Sequence, residues 1–330
     1  MNATVGLLCY RSRILLKPPA KPRGSTPRIS ELEDYILETF DSPGYRPPEL
    51  PKVAMEMMEL SHKVEVPVER IAAVLQRDAV LAARVLQRAR SVFYAGSAKI
   101  ETLEAALVRL GTAALRNLVL ESAIHSKIFR SKEFEKPMER LRCHAIAVAH
   151  LSRLIGARAK LSPETAYLCG LMHDVGIAGA LLVLAPAYGS IDPTVLWPAL
   201  GMVHDRVGTA LVQLWGLPEE VASVVAVHHK VDDARTTQPL VAVLRIAEGA
   251  AIGVGASLFP PSSADELNFE LPTSEGLLQA RRTLAFQDQD VLEIGRDAAV
   301  TLPALDPELG RLLKEQVAKH APPKTKKLDA

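Results

Sequence analysis

The sequence predicts an all-α protein, and three observations predict it. Apolar residues recur at three- and four-residue spacing, as in Ile71, Val74 and Leu75, then Leu81, Val85 and Leu86. Aromatic residues are only 5% of the chain, and Ala, Leu and Val supply most of the apolar surface, which suits close-packed helices better than a sandwich or barrel. No stretch alternates apolar and polar residues as a half-buried strand does, and neither a repeat nor a heptad seam is present.

The elements follow in order. Residues 1–46 read as a leader, partly disordered, because Pro18, Pro19, Pro22, Gly24 and Pro27 lie among basic residues. Ser30-Glu31-Leu32-Glu33 has the form of a capping box, with Ser30 as cap and Glu33 reaching back, so a short helix is expected to about Phe40. Asp41–Pro51, rich in Pro and Gly, reads as a linker. From Lys52 the pattern is helical. Val68–Gln76 and Val80–Ala89 are amphipathic, with Asp78 placed to cap the second. Ser91–Ile100 is a loop, and Leu103–Phe129 is a long apolar helical stretch with Gly111 as a break.

A second block runs from about Phe134 to Gly255. A helix around Arg140–Ile155 is expected to end at Gly156. Ser162-Pro163-Glu164 opens the next, with a Ser cap, Pro in the first turn and Glu favoured by the helix dipole. That helix is expected to carry Gly170–Gly176. Val203–Leu214 stops at Gly216, and Pro218-Glu219-Glu220 opens a helix ending in His228-His229-Lys230. Pro239–Ala251 closes the block. Residues 256–320 read as a helical extension: a loop to 272, then Ser274–Leu284, Asp290–Ala298 and a helix capped by Asp306-Pro307-Glu308 that runs to about Lys319. Residues 321–330 read as a disordered tail.

Composition narrows the function classes. The net charge of +1 gives no broad positive field for nucleic acid, and the basic clusters Arg11–Arg23 and Lys324–Lys327 are short arms at the two ends. No apolar run is read as long enough to cross a bilayer, and Val5–Tyr10 is too short for a signal-peptide core. A cytoplasmic protein without a membrane or nucleic-acid partner is therefore expected. Cys9, Cys143 and Cys169 are odd in number and widely spaced, so they are read as reduced thiols.

The chemistry concentrates in the second block. Six of the nine histidines fall there: His144, His150, His173, His204, His228 and His229. Two are followed by aspartate, as His173-Asp174 and His204-Asp205. Adjacent helical residues point about 100° apart, so a neighbouring pair serves one centre only near a helix end or on an enclosed helix. Gly170-Leu171-Met172-His173-Asp174-Val175-Gly176 fits that condition, with apolar flanks and glycines that admit close neighbours. A buried His-Asp pair needs a metal or a closed hydrogen-bond network. His144, His173, Asp174, His204, His228 and His229 are therefore candidate ligands for Fe, Mn, Zn or Ni. A two-metal centre of that kind suits phosphodiester hydrolysis. His150 alone reads as a core histidine, and His62, His125 and His320 carry no surrounding signal. Cys169 reads as a small buried thiol, and Trp197 and Trp215 as core.

Gly170–Gly176 resembles the signature of the HD superfamily of metal-dependent phosphohydrolases. Asp78-Ala79-Val80-Leu81, Arg90-Ser91 and Ile100 through Leu110-Gly111 resemble the first half of its HDOD (HD-related output domain) family. His204, Gly208, Trp215-Gly216-Leu217-Pro218 and His228-His229 resemble the second half. The resemblance covers about 47–255 and implies a two-lobed, HD-like helical bundle, with an N-terminal lobe at 47–130 and an HD-like lobe at 134–255. It also implies a bacterial signal-transduction output or adaptor module that works through protein–protein contact, without established catalysis. Its partners would be signalling proteins of two-component or cyclic-di-GMP circuits. No receiver, kinase or cyclase segment is evident, so the input is expected to arrive by association.

The resemblance implies that Glu248 stands at the position of the superfamily's last metal-ligating Asp. His144, His173, Asp174 and Glu248 would then hold one divalent metal (Fe, Mn or Zn), and His204, His228 and His229 would complete a second. Two departures stand out. No Gly-Tyr-Pro follows His228-His229-Lys230, so the substrate loop of cyclic-di-GMP phosphodiesterases is missing, and Arg90 replaces the usual Asn. The alternative function is a metal-dependent phosphohydrolase acting on a nucleotide or cyclic dinucleotide. Arg206 and Lys230 are the candidate substrate-binding cations for it, and no catalytic acid can be named.

Overall fold

Helices joined by short turns build the whole of the described chain, with no strand among the described residues. The computed structural model describes residues 27–61, 66–91, 94, 99–124, 128–230, 238–258, 274–305 and 310–311. The basic ends, His62, His125, His320, Cys9, most of the 256–272 loop and most of the helix expected after Asp306 lie outside them.

The first helix, α1 (Ile29–Asp41), starts two residues earlier than the Ser30 cap implies. Arg28 is the cap: its N–H donates to Glu31 Oε2 at 3.1 Å and its Nε donates to Glu31 Oε1 at 2.9 Å. Glu31 thus does the work expected of Glu33, and Ser30 lies inside the helix. Leu32 and Ile36, one turn apart, are fully buried. They bury against the second lobe, because α1 packs on α9 and α8.

The N-terminal lobe comprises α2 (Lys52–Ser61), α3 (Val68–Leu75), α4 (Ala79–Ala89) and α5 (Leu103–Ala123). The last packs against the other three. Asp78 caps α4 as expected, accepting from the Leu81 N–H at 3.0 Å. The α5 backbone breaks at Gly111, where φ is +74°.

The second lobe holds α6 (Glu135–Arg158), α7 (Pro163–Met172), α8 (Val175–Tyr188), α9 (Pro193–Leu214), α10 (Glu219–Val225) and α11 (Pro239–Gly253). Three expectations fail here. Gly156 does not end α6. It sits against α7, where an added Cβ would come 2.8 Å from Ala166 Cβ, so the glycine serves a helix contact rather than a stop. The apolar stretch after Met172 is a separate helix, α8, and α9 begins a full ten residues before Val203, at Pro193 with Asp192 capping it. Pro163–Tyr188 is also long and apolar enough to cross a membrane by composition, contrary to the reading of the sequence. Within the fold 94% of its most apolar 18 residues are buried, and a turn at His173-Asp174 interrupts the segment, so it forms the protein core. Helices α12 (Ser274–Leu284) and α13 (Asp288–Leu305) pack on α11, and α13 also reaches α6.

One hydrophobic core runs through both lobes. Beside it the lobes also meet across a buried polar seam. Arg88 of α4 donates to Glu121 of α5 at 2.8 Å and stands 3.3 Å from His150 Nε2 of α6. Tyr167 of α7 donates its hydroxyl to the same Glu121 carboxylate. Glu164 of α7 accepts from Arg153 at 2.8 Å, from Asn117 at 2.9 Å and from Tyr94 at 2.9 Å. Two cations thus face two carboxylates, which is the condition under which buried charge is tolerated. Burial and the two arginines push His150 well below its ordinary pKa. His150 therefore belongs to this seam as a neutral acceptor, which answers to its reading as a core histidine.

Candidate metal centre

The glycines that flank His173-Asp174 let neighbouring helices close on this part of the chain. A Cβ on Gly170 would lie 2.8 Å from the Ala149 Cα, and one on Gly176 would lie 1.8 Å from the His204 carbonyl oxygen. Helix α7 therefore presses on α6, and the start of α8 presses on α9. The Gly170–Gly176 segment is not one helix as expected: α7 ends at Met172, and Asp174 leaves helical geometry at φ −104°, ψ 13°. That turn lets two consecutive side chains face one interior point. Five elements meet around it: α6 brings His144, the α7–α8 turn brings His173 and Asp174, and α9 brings His204. The turn after α10 brings His228 and His229, and α11 brings Glu248.

Asp174 divides the cluster. Its Oδ2 lies 3.2 Å from His173 Nε2 and 3.7 Å from His144 Nε2. Its Oδ1 lies 3.5 Å from His228 Nε2 and 3.9 Å from His204 Nε2. Glu248 Oε1 also faces both sides, at 3.6 Å from His173 Nε2 and 3.8 Å from His229 Nε2. Two ligand groups result, His144 with His173 and Asp174, and His204, His228 and His229 with Asp174, each with donor atoms within 4.8 Å of one another. All seven sequence candidates converge here.

The histidine tautomers are set by the backbone. His173 Nδ1 lies 2.8 Å from the Gly170 carbonyl, His204 Nδ1 2.8 Å from Gly201 and His228 Nδ1 2.8 Å from Val225. His144 Nδ1 lies 2.9 Å from the Ala256 carbonyl. A carbonyl only accepts, so each Nδ1 carries a proton and each Nε2 is the nitrogen turned inward, where a ring without a second proton presents its lone pair. Orientation of a ligating imidazole by a carbonyl on its other nitrogen is the usual support of a metal site. Inward lone pairs need a positive charge. His144 and His173 approach Nε2 to Nε2 at 3.2 Å, so without a cation a proton must lie between them or toward Asp174.

Electrostatics agree. Burial pushes His144 and His228 down to about 4, and His229 well below its ordinary value. Burial opposes charge on His173 too, but the Asp174 carboxylate and then Glu248 lift it to about 9. Asp174 is held well below the carboxylate range against burial, first by His173, while burial lifts Glu248 to about 8. Asp174 Oδ1 and Glu248 Oε2 are buried with no donor in hydrogen-bonding geometry among the described residues. Orphaned carboxylate oxygens among inward-facing imidazoles are a donor set that fits a divalent transition metal.

Other candidates are placed elsewhere. Arg206 pairs with Asp41 at 2.7 Å, and Lys230 pairs with Asp205 at 2.5 Å. Cys169 is buried outside both ligand groups, and burial raises its thiol. Trp197 and Trp215 are core residues, with Trp215 Nε1 donating to the Pro48 carbonyl at 3.1 Å. The sequence reading missed the supports. The carbonyls three residues before His173, His204 and His228 follow from helix geometry, but Ala256 is distant in sequence and nothing marked it. Arg245, buried beneath the His228-His229 turn, was passed over in the same way.

The sequence profile of one family, the HDOD domain, matches residues 48–231, more than half of the chain. This chain belongs to the HDOD family. Beyond the profile, the HDOD protein is 25% identical over 242 residues to an uncharacterized protein of Treponema pallidum (strain Nichols), covering 67% of this chain and 46% of that one. The chain thus spans less than half the length of that relative. Among solved structures it is similar to a protein of Shewanella amazonensis SB2B assigned by inference to the metal-dependent phosphohydrolases. That likeness has a TM-score of 0.65 and 20% identity, and covers 86% of this chain and 99% of the other. It is also similar to a protein of Marinobacter aquaeolei VT8 assigned by inference to signal transduction, with a TM-score of 0.51 and 16% identity, over 88% and 62% of the two chains. These likenesses carry the HDOD fold, and no more.

Proposed function

We propose that this HDOD protein is a bacterial signal-transduction output module. It acts as an adaptor through protein–protein contact, and its histidine–carboxylate cluster holds a divalent transition metal (Fe, Mn or Zn) that organises the second lobe. The observation that carries the reading is the enclosure of the cluster. His173, Asp174, His204, His228 and Glu248 are all buried, and the cations that flank the second ligand group are engaged by the protein. Arg206 holds Asp41, Lys230 holds Asp205, and Arg245 holds backbone carbonyls. A phosphoester site needs cations directed at the substrate's charge, and among the described residues these three are turned to other work. The partners on this reading are signalling proteins, of two-component or cyclic-di-GMP type as the family resemblance implies.

A second reading, a metal-dependent phosphohydrolase acting on a nucleotide or cyclic dinucleotide, is favoured by one feature. Asp174 offers one oxygen to each ligand group, as a carboxylate shared by two metals does. A metal pair there would supply Lewis-acid chemistry for phosphodiester cleavage. His144, His173 and Asp174 would hold the first ion, with Glu248 beside them, and His204, His228 and His229 with Asp174 would hold the second. One experiment separates the readings. Purified protein loaded with Mn, Fe or Zn is incubated with cyclic-di-GMP and with bis(p-nitrophenyl) phosphate. The adaptor reading expects no turnover above an Asp174→Ala control, whereas turnover lost in that control establishes the hydrolase.

A further inference from the structure

The His228-His229 turn follows α10; its own residues engage the carbonyls of Val225, Ala226 and Val227, and those of His228 and Lys230 are met from α11. The last C=O groups of a helix and its following turn lack intrahelical partners. Arg245 of α11 supplies partners for two of them. Its Nε donates to the His228 carbonyl at 3.1 Å, and its Nη2 donates to the Lys230 carbonyl. Its Nη1 donates to Gln279 Oε1 of α12 at 3.1 Å. The guanidinium is buried, and one helical turn further along α11 stands Glu248. From the other side, Lys230 Nζ donates to the Ala226 carbonyl at 3.0 Å and pairs with Asp205, the neighbour of His204. The turn that aims two imidazoles at Asp174 is thus pinned at both ends by cations.

We propose that Arg245 is a positioning residue for the ligand group of His204, His228 and His229, and that Gln279 ties the C-terminal helix α12 to it. The inference rests on the cluster holding metal, as proposed above, and adds a route by which the extension reaches it. A guanidinium presents its N–H groups in a planar fork, so one side chain satisfies both carbonyls and still reaches α12. Lysine has the charge without the fork. Leu277 packs beside the same helix, where a Cβ on Gly249 would lie 3.0 Å from its Cδ2, so α12 cannot shift without disturbing Arg245. The His144–His173 group has a separate support, the Ala256 carbonyl.

The test is a binding titration of Mn(II) or Zn(II) on the full chain, after chelation, for wild type, Arg245→Lys, Arg245→Gln and Gln279→Ala. Gln279 is only half-buried, so its variant keeps the fold if the Arg245 variants do not; melting of the metal-free proteins checks this. The expected result is two ions in wild type. In the variants one of the two binds about 10- to 100-fold more weakly, the size seen when an outer support of a metal ligand is removed. Lysine should retain part of the affinity. Folded variants that bind both ions as wild type does, or that weaken both equally, overturn the positioning role and leave the metal centre standing. A wild type that takes up no ion overturns the centre and this role together.

Discussion

His173 and Asp174 are consecutive residues whose side chains meet at 3.2 Å, Nε2 to Oδ2, at the point where α7 stops and α8 begins. An unbroken helix would send them about 100° apart. The break is therefore the local feature on which the cluster depends, and the two flanking glycines let α6 and α9 close against it.

Gly176→Ala should be strongly destabilising. The new Cβ would lie 1.8 Å from the His204 carbonyl oxygen, a backbone atom that cannot swing away. A loss of about 3 kcal/mol is expected, at the upper end for overpacking. Chemical denaturation measures it, and a change below about 1 kcal/mol would show that α8 and α9 separate easily.

Metal should stabilise the folded chain, because ions that bind the native cluster alone shift unfolding by mass action. Free Mn or Zn at 100 times its Kd adds about 2.7 kcal/mol, and chelation removes it. Thermal melting with metal and with chelator checks the expectation, and Asp174→Ala should abolish the difference.

Breaking the polar seam on one side should cost more than removing the pair. Arg88→Met leaves Glu121 buried with the Tyr167 hydroxyl but without its cation, a loss of about 3–5 kcal/mol. Adding Glu121→Leu should recover a good part of it. A double-mutant cycle by denaturation reads the coupling, and additive losses would mean that the pair does not act as a unit.

Ile36→Ala should loosen α1 from α8 and α9, since Ile36 is fully buried on α1. About 2–5 kcal/mol is expected for such a truncation. Hydrogen exchange should rise in α1 and leave α5 unchanged. Equal exchange in both would place α1 within a larger cooperative unit.

Much of this was legible in the sequence, for physical reasons. Helical periodicity, the Asp78 and Ser162 caps and the Gly111 break depend on local geometry, and all lie where the residues put them. Six of the seven candidate residues were legible because histidines gather in one block around the adjacent His173-Asp174 and His228-His229 pairs, and Glu248 was legible only through the family resemblance. What failed was decided by neighbours in space. Gly156 reads as a stop but is a contact with Ala166, and Ser30 reads as a cap while Glu31 bonds Arg28. The turn at His173-Asp174 was taken for continuous helix, because Val, Ile, Ala and Leu run on through α8. Arg245, Ala256 and the Arg88–Glu121 pair act across long sequence distances, the Arg153–Glu164 pair acts between two helices, and no local pattern encodes them.

The measurement that tests the central claim most directly is elemental analysis of protein purified without added metal and without a metal-affinity tag, beside a His173→Ala, Asp174→Ala double variant. The account predicts Fe, Mn or Zn near stoichiometry in the wild type and loss of it in the variant. A folded wild type with no transition metal, taking none up when it is offered, would contradict it and leave the cluster a protonated hydrogen-bond network centred on His173 and Asp174.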